Sequence, residues 1–143
     1  MGGLQERLAA MLAEVLSVDA EPDGALTVHH DGTLASLRVV TIAEGLDLVS
    51  LNQVLAWDLP LTGKVRDRVN EQARDSQLGT VTLVEKDAAP AEAAKRNSGK
   101  TGSNTGDVML RYNFPGSGLT DDALCTLILL VLAKGVDIRD ALT

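Results

Sequence analysis

Apolar and polar residues follow two periods along this chain. Leu4, Leu8, Met11, Leu12, Val15 and Leu16 recur every three or four positions among Ala and Glu. That spacing predicts an amphipathic helix over roughly 3–17. Asp19 to Gly24, with Pro22 inside it, reads as a turn. The period then shortens to two. Leu26, Val28 and His30 alternate with Thr27 and His29, as in a half-buried strand. Asp31-Gly32 is a strong hairpin signal, because both residues tolerate positive φ. The next strand spans about 34–42, with Leu37 and Val39 on one face and Arg38 and Val40 on the other. Glu44-Gly45 turns the chain again. A long apolar stretch follows from Leu46 to Leu59, in which Asn52-Gln53 can mark a bulge or bend.

Pro60 stops that strand. Thr62 can cap a helix whose narrow stripe is Val65, Val69 and Ala73, with charges elsewhere around it. Such a helix lies on one surface with its back solvated. Gly79 ends the unit. Thr80 to Glu85 predicts a fourth strand and Val108 to Phe114 a fifth, with Val108, Leu110, Tyr112 and Phe114 on one face. After the loop Pro115 to Gly118, Thr120 caps a last helix. Asp121 and Asp122 sit in its first turn, where the helix dipole favours them, and Gly135 reads as its C-terminal stop.

This last helix has ten apolar residues in eleven between Ala123 and Ala133, interrupted only by Thr126. A helix apolar all round must be covered on every side. Leu124, Leu127, Ile128 and Val131 share one arc and are the expected sheet-facing set. Cys125, Leu129 and Leu132 lie on another and form the candidate interface. Either the first helix of the same chain or a second subunit covers them.

Residues 87–106 differ in kind. The run DAAPAEAAKRNSGKTGSNTG is small, polar and rich in Gly, Ser and Asn. Between two hairpin partners it reads as a flexible excursion. The order αβββαββα then describes one domain over 1–143. Its fold class is α+β, an antiparallel sheet of about five strands layered with helices.

Composition narrows the functional classes. Trp57, Tyr112 and Phe114 are the only aromatics, so the core is aliphatic and stacking platforms for single-stranded nucleic acid are missing. A net charge of −7 opposes binding to a phosphate backbone. One cysteine, Cys125, allows no internal disulfide, and its apolar neighbours suggest a packing thiol. The apolar run at 123–133 is shorter than the roughly 20 residues a bilayer needs. Glu6, Arg7 and Glu14 break the first apolar stretch, and no cleavage-site pattern follows, so a cytoplasmic protein is expected.

No chemistry stands out. Ser98-Gly99-Lys100-Thr101 looks like the end of a phosphate loop. The full pattern needs Gly where Ala94 stands, and a following helix where a strand is expected. His29 and His30 point to opposite faces of a strand, which does not suit one metal ion. Cys125 has no assured neighbouring base for a nucleophilic triad. No catalytic residue, cofactor or metal is therefore expected, and the reading is non-enzymatic binding. The alternative is a small-ligand binder or minor enzyme using the polar 87–106 loop; Lys95, Arg96 and Lys100 there could meet an acidic partner but are too few to bind nucleic acid strongly.

Two segments carry a resemblance. Val69-Asn70-Glu71-Gln72 with Leu78-Gly79-Thr80-Val81 resembles the helix-to-strand junction of the YbjN-like family. Arg111-Tyr112-Asn113-Phe114-Pro115, continued by Gly118-Leu119-Thr120-Asp121-Asp122-Ala123-Leu124, resembles that family's last strand, short loop and Thr-capped acidic helix start. The element order agrees over most of 4–134. The chain departs from the family at the 87–106 insertion, and at Ala73, where a second Asn is expected. The resemblance implies a fold like that of the type III secretion chaperones, a homodimer that holds a partner polypeptide, and no catalytic residue. The family's description, a bacterial sensory transduction regulator, implies a regulatory role. Neither nucleic acid nor membrane is an expected partner.

Overall fold

The computed structural model of the chain describes residues 3–86 and 105–142. Its elements are α1 (Leu4–Ala13), β1 (Ser17–Ala20), β2 (Leu26–His30), β3 (Thr33–Ala43), β4 (Leu46–Pro60), α2 (Gly63–Asp75), β5 (Thr80–Lys86), β6 (Thr105–Pro115) and α3 (Asp121–Leu142). The strands form one sheet in the order β1-β2-β3-β4-β6-β5, antiparallel at every pairing. The α+β antiparallel architecture is as expected, with six strands instead of about five. The additional strand is β1, which falls partly within the expected turn. Ser17-Val18-Asp19-Ala20 pairs with β2 at the sheet edge and buries no residue fully, so no alternating pattern announces it. The first helix is correspondingly shorter than expected and closes through Leu16 N–H to Leu12 O at 2.8 Å.

All three helices contribute to a single core. Leu8 and Leu12 of α1, Val69 of α2, and Leu124, Ile128, Val131 and Leu132 of α3 bury against Val28, Leu37, Leu51, Leu55, Val108 and Leu110 of the sheet. The strand residues come from one side of the pleat, as Leu37 and Val39 against Arg38 and Val40 already indicated. Both predicted caps are present: Thr62 Oγ1 accepts from Val65 N–H at 3.2 Å, and Thr120 Oγ1 from Ala123 N–H at 3.1 Å. Arg7 joins α1 to the start of α3 by donating to Asp121 Oδ1 at 2.6 Å and to Leu119 O at 3.0 Å. The Asp31-Gly32 hairpin has both φ values positive, 47° and 79°.

Gly135 does not stop α3. The helix runs on to Leu142, burying Val136, Ile138 and Leu142, and Arg139 donates from Nη1 to Asp31 O at the β2–β3 turn. The glycine answers a packing need. Gln53 of β4 is fully buried, and its Nε2 donates to Thr33 Oγ1 at 2.9 Å and Leu132 O at 3.2 Å. A Cβ on Gly135 would stand 2.5 Å from Gln53 Cδ and closer still to Oε1. The amide thus occupies the space that a side chain at 135 would take. Gln53 marks no bend either. The irregularities of β4 lie beyond it, between Val54 and Ala56 and between Ala56 and Leu59.

The expected excursion at 87–106 lies outside the described residues, except that Thr105 and Gly106 open β6. The ligand-binding alternative built on that loop falls there too. Among the described residues no helix is long and apolar enough to cross a membrane.

Gly135→Ala separates packing from helix propensity. Ala is favoured over Gly in an open helix by about 1 kcal/mol. Overlap with the Gln53 amide should reverse that sign and cost about 1–3 kcal/mol. In a Gln53→Ala background the same change should turn neutral or stabilising, which urea denaturation of the four proteins reads directly.

Candidate interaction surface

The structure divides the three residues singled out on the last helix. Leu132 is fully buried within the chain, so it offers nothing to a partner; its neighbourhood is the Gln53 contact. Cys125 and Leu129 are half-buried. Cys125 lines a shallow cleft between α1 and α3 with Arg7, Met11, Val15 and Asp121. Helix α1 therefore covers part of this side, where Val15 stays 54% exposed; Leu130, also 54% exposed, lies on the solvent stripe of α3 with Thr126, Ala133 and Asp137. Of the expected sheet-facing set, Leu124, Ile128 and Val131 are fully buried and Leu127 is partly so.

A larger surface lies on the opposite side of the sheet. Alternation along each strand sends every second residue away from the helices. The register aligns these residues into rows across the strands. One row is His29, Leu34, Val54, Met109 and Thr82. The next is Thr27, Ser36, Asn52, Arg111 and Thr80. Beyond it lie Arg38, Ser50 and Asn113, then Val40, Leu48 and Pro115. None of these residues is fully buried, and no described helix packs over them. An antiparallel sheet can face water on one side. This one does so with few charges on its central strands, which carry two serines, two asparagines and a band of Leu34, Val54 and Met109. Depletion of charge and presence of aliphatic groups mark the centres of protein interfaces.

The charges that do occur are mostly paired. Arg38 Nη2 lies 2.8 Å from Asp23 Oδ2, and this hydrogen bond, aided by Ala25 N–H, holds the Asp23 carboxyl below the usual carboxylate range. Arg111 Nε donates to Asn52 Oδ1 at 3.0 Å. His29 Nε2 meets Asp19 Oδ2 at 3.1 Å at the exposed edge.

At the β4 bulge the chain passes Ala56, which is buried, and Trp57, which is 46% exposed. Asp58 follows with φ of 54°, an unusual conformation for a residue other than Gly. Its N–H donates to Asp107 Oδ1 at 3.0 Å. Lys86 Nζ sits 2.7 Å from Asp58 Oδ1 and 3.1 Å from Asp107 Oδ1. These two carboxylates, Asp58 first, raise the lysine above its ordinary range.

Among the described residues no group of three or more His, Cys, Asp or Glu could hold a metal ion. Cys125 belongs to the helix layer, whereas His29 belongs to the uncovered face. The sheet surface has no linear signal because its residues are spread over five strands. Exposed Trp57 was its most visible trace. No family model, curated protein or solved structure matches the chain.

Lys86 gives this corner a pH signature. A base with a raised folded pKa contributes stability below the ordinary lysine range and loses it as pH climbs through the folded pKa. As pH rises through and above the ordinary lysine value of 10.5, the wild type should lose more stability than Lys86→Met. Urea midpoints across that range would show parallel curves if the lysine were not held.

Proposed function

We propose that this chain is a non-enzymatic protein-binding module that receives a partner polypeptide on the uncovered face of its sheet. The observation that carries the reading is the central band of Leu34, Val54 and Met109, left open beside exposed Trp57. Solvent contact of aliphatic groups is unfavourable by about 25 cal/mol per Å² that a partner could cover. The helix layer already satisfies the other face, so docking here leaves the core untouched. The YbjN-like resemblance supports a chaperone-like or regulatory role with the type III secretion chaperone arrangement, acting in the cytoplasm. Self-association as a homodimer has its own support in Val15, exposed beside half-buried Cys125, and in half-buried Leu129 and exposed Leu130 further round the same helix as Cys125.

Two measurements test this. Pull-down from the native cell with the wild type and with Met109→Asp, followed by mass spectrometry, should find a partner retained by the first and depleted about tenfold with the second. The melting temperatures of the two proteins should agree, because Met109 is outside the core. Equal recovery of every partner with both proteins would contradict the assignment. For the homodimer, light scattering at micromolar concentration should give twice the chain mass, falling towards one chain mass in Leu129→Glu; a strict monomer in the wild type would rule it out.

A further inference from the structure

The uncovered face is not electrically uniform. At the Trp57 corner, two carboxylates, Asp58 and Asp107, share one cation, Lys86. Among the described residues the corner therefore keeps about one negative charge beside an indole that is 46% exposed. Register brings these groups together: Ala56 stands opposite Val108, so the next position on each strand, Trp57 and Asp107, falls on the uncovered side. Val84 pairs with Asp107 and is itself 44% exposed, which extends the apolar ground onto β5. Four residues along β6, about 14 Å away, Arg111 supplies the opposite sign. It donates to the neutral Asn52 amide.

We propose that the Trp57 corner receives a Lys or Arg side chain from a basic, amphipathic segment of the partner polypeptide. This rests on the docking reading above and specifies its chemistry. Two features favour a cation over an acidic or neutral group. An exposed indole face attracts an ammonium or guanidinium through its quadrupole, and the adjacent carboxylate pair has room for a second positive charge. On a larger scale the whole chain carries −7, so a basic segment is drawn towards it while an acidic one is repelled. The Leu34, Val54 and Met109 band takes the apolar side of the segment. Arg111, at the other end, disfavours a second cation there, so the face sets a direction as well as a sign.

The test uses the full chain and three fluorescein-labelled peptides of one length and one leucine pattern, carrying Lys, Gln or Glu at every polar position. Binding is read by anisotropy at about 0.15 M salt. The Lys peptide should bind at least about tenfold more tightly than the Gln and Glu peptides. Trp57→Ala, and the pair Asp58→Asn with Asp107→Asn, should each weaken it about fivefold or more. Asn at 107 retains an acceptor for the Asp58 N–H. The pair Asp122→Asn with Asp137→Asn removes the same net charge from α3 and should leave binding unchanged.

Equal weakening by both neutralised pairs would overturn the proposal, since only net charge would then matter. If the Gln or Glu peptide matched the Lys peptide, and Met109→Asp abolished binding of either, the cation preference would be wrong while the docking face stood. If the Lys peptide bound and Met109→Asp left that binding unaltered, both readings would fall.

Discussion

The contact between Gln53 and Gly135 governs how the two layers of this protein meet. A fully buried amide on the sheet's longest strand donates to the β3 hydroxyl of Thr33 and to the carbonyl of Leu132 on α3. It fits only because position 135 carries no side chain. A buried polar group without partners costs about 1–3 kcal/mol, so these two hydrogen bonds make one placement of the helix far better than its neighbours. Sliding α3 by a residue would break both and drive a side chain into the amide. Among the described residues Gln53 Oε1 has no hydrogen-bond partner, a cost that the native placement itself carries, and the oxygen fills the space a Cβ at 135 would need. Hydrophobic burial supplies most of the driving force between the layers, and this polar contact supplies the register.

Once α3 is fixed, much of the remaining arrangement follows. Its final turns reach past Gly135 to bury Ile138 and Leu142 and to bring Arg139 to the β2–β3 turn. Its first turn receives Arg7 from α1. Its central turns cover the middle of the sheet, with α2 alongside over β5. With three helices committed to one face, the opposite face has no described cover. The functional reading is a consequence of that asymmetry: the side that lacks helices also lacks the dense surface charge of an ordinary solvated sheet.

Local signals in the sequence announced much of this fold. Alternation located β2, β3 and the inward side of β6. Asp31-Gly32 marked its hairpin, while Thr62 and Thr120 marked helix starts through hydrogen bonds spanning three residues. What escaped depended on contacts between distant segments. Gly135 looked like a helix terminator because its neighbour across the layer, Gln53, is far away in the chain. Leu132 joined an interface on the helical wheel, yet the close approach at Gly135 draws it into the core. β1 has too few apolar residues to show a period and is held by pairing with β2. The uncovered face is a sum over strands and has no linear motif, so Met109 and Arg111 gained meaning only once the register aligned them with Val54 and Asn52.

The central claim is that a partner sits on the sheet side and not on the helix side. Photocrosslinking in the native cell tests it most directly, with a benzophenone amino acid placed singly at Met109 or at Ala133, an exposed position of α3. The account predicts a discrete partner adduct from position 109, identified by mass spectrometry, and from position 133 no adduct with that partner, only background or a second copy of the chain. The same partner joined at 133 and absent at 109 would contradict it.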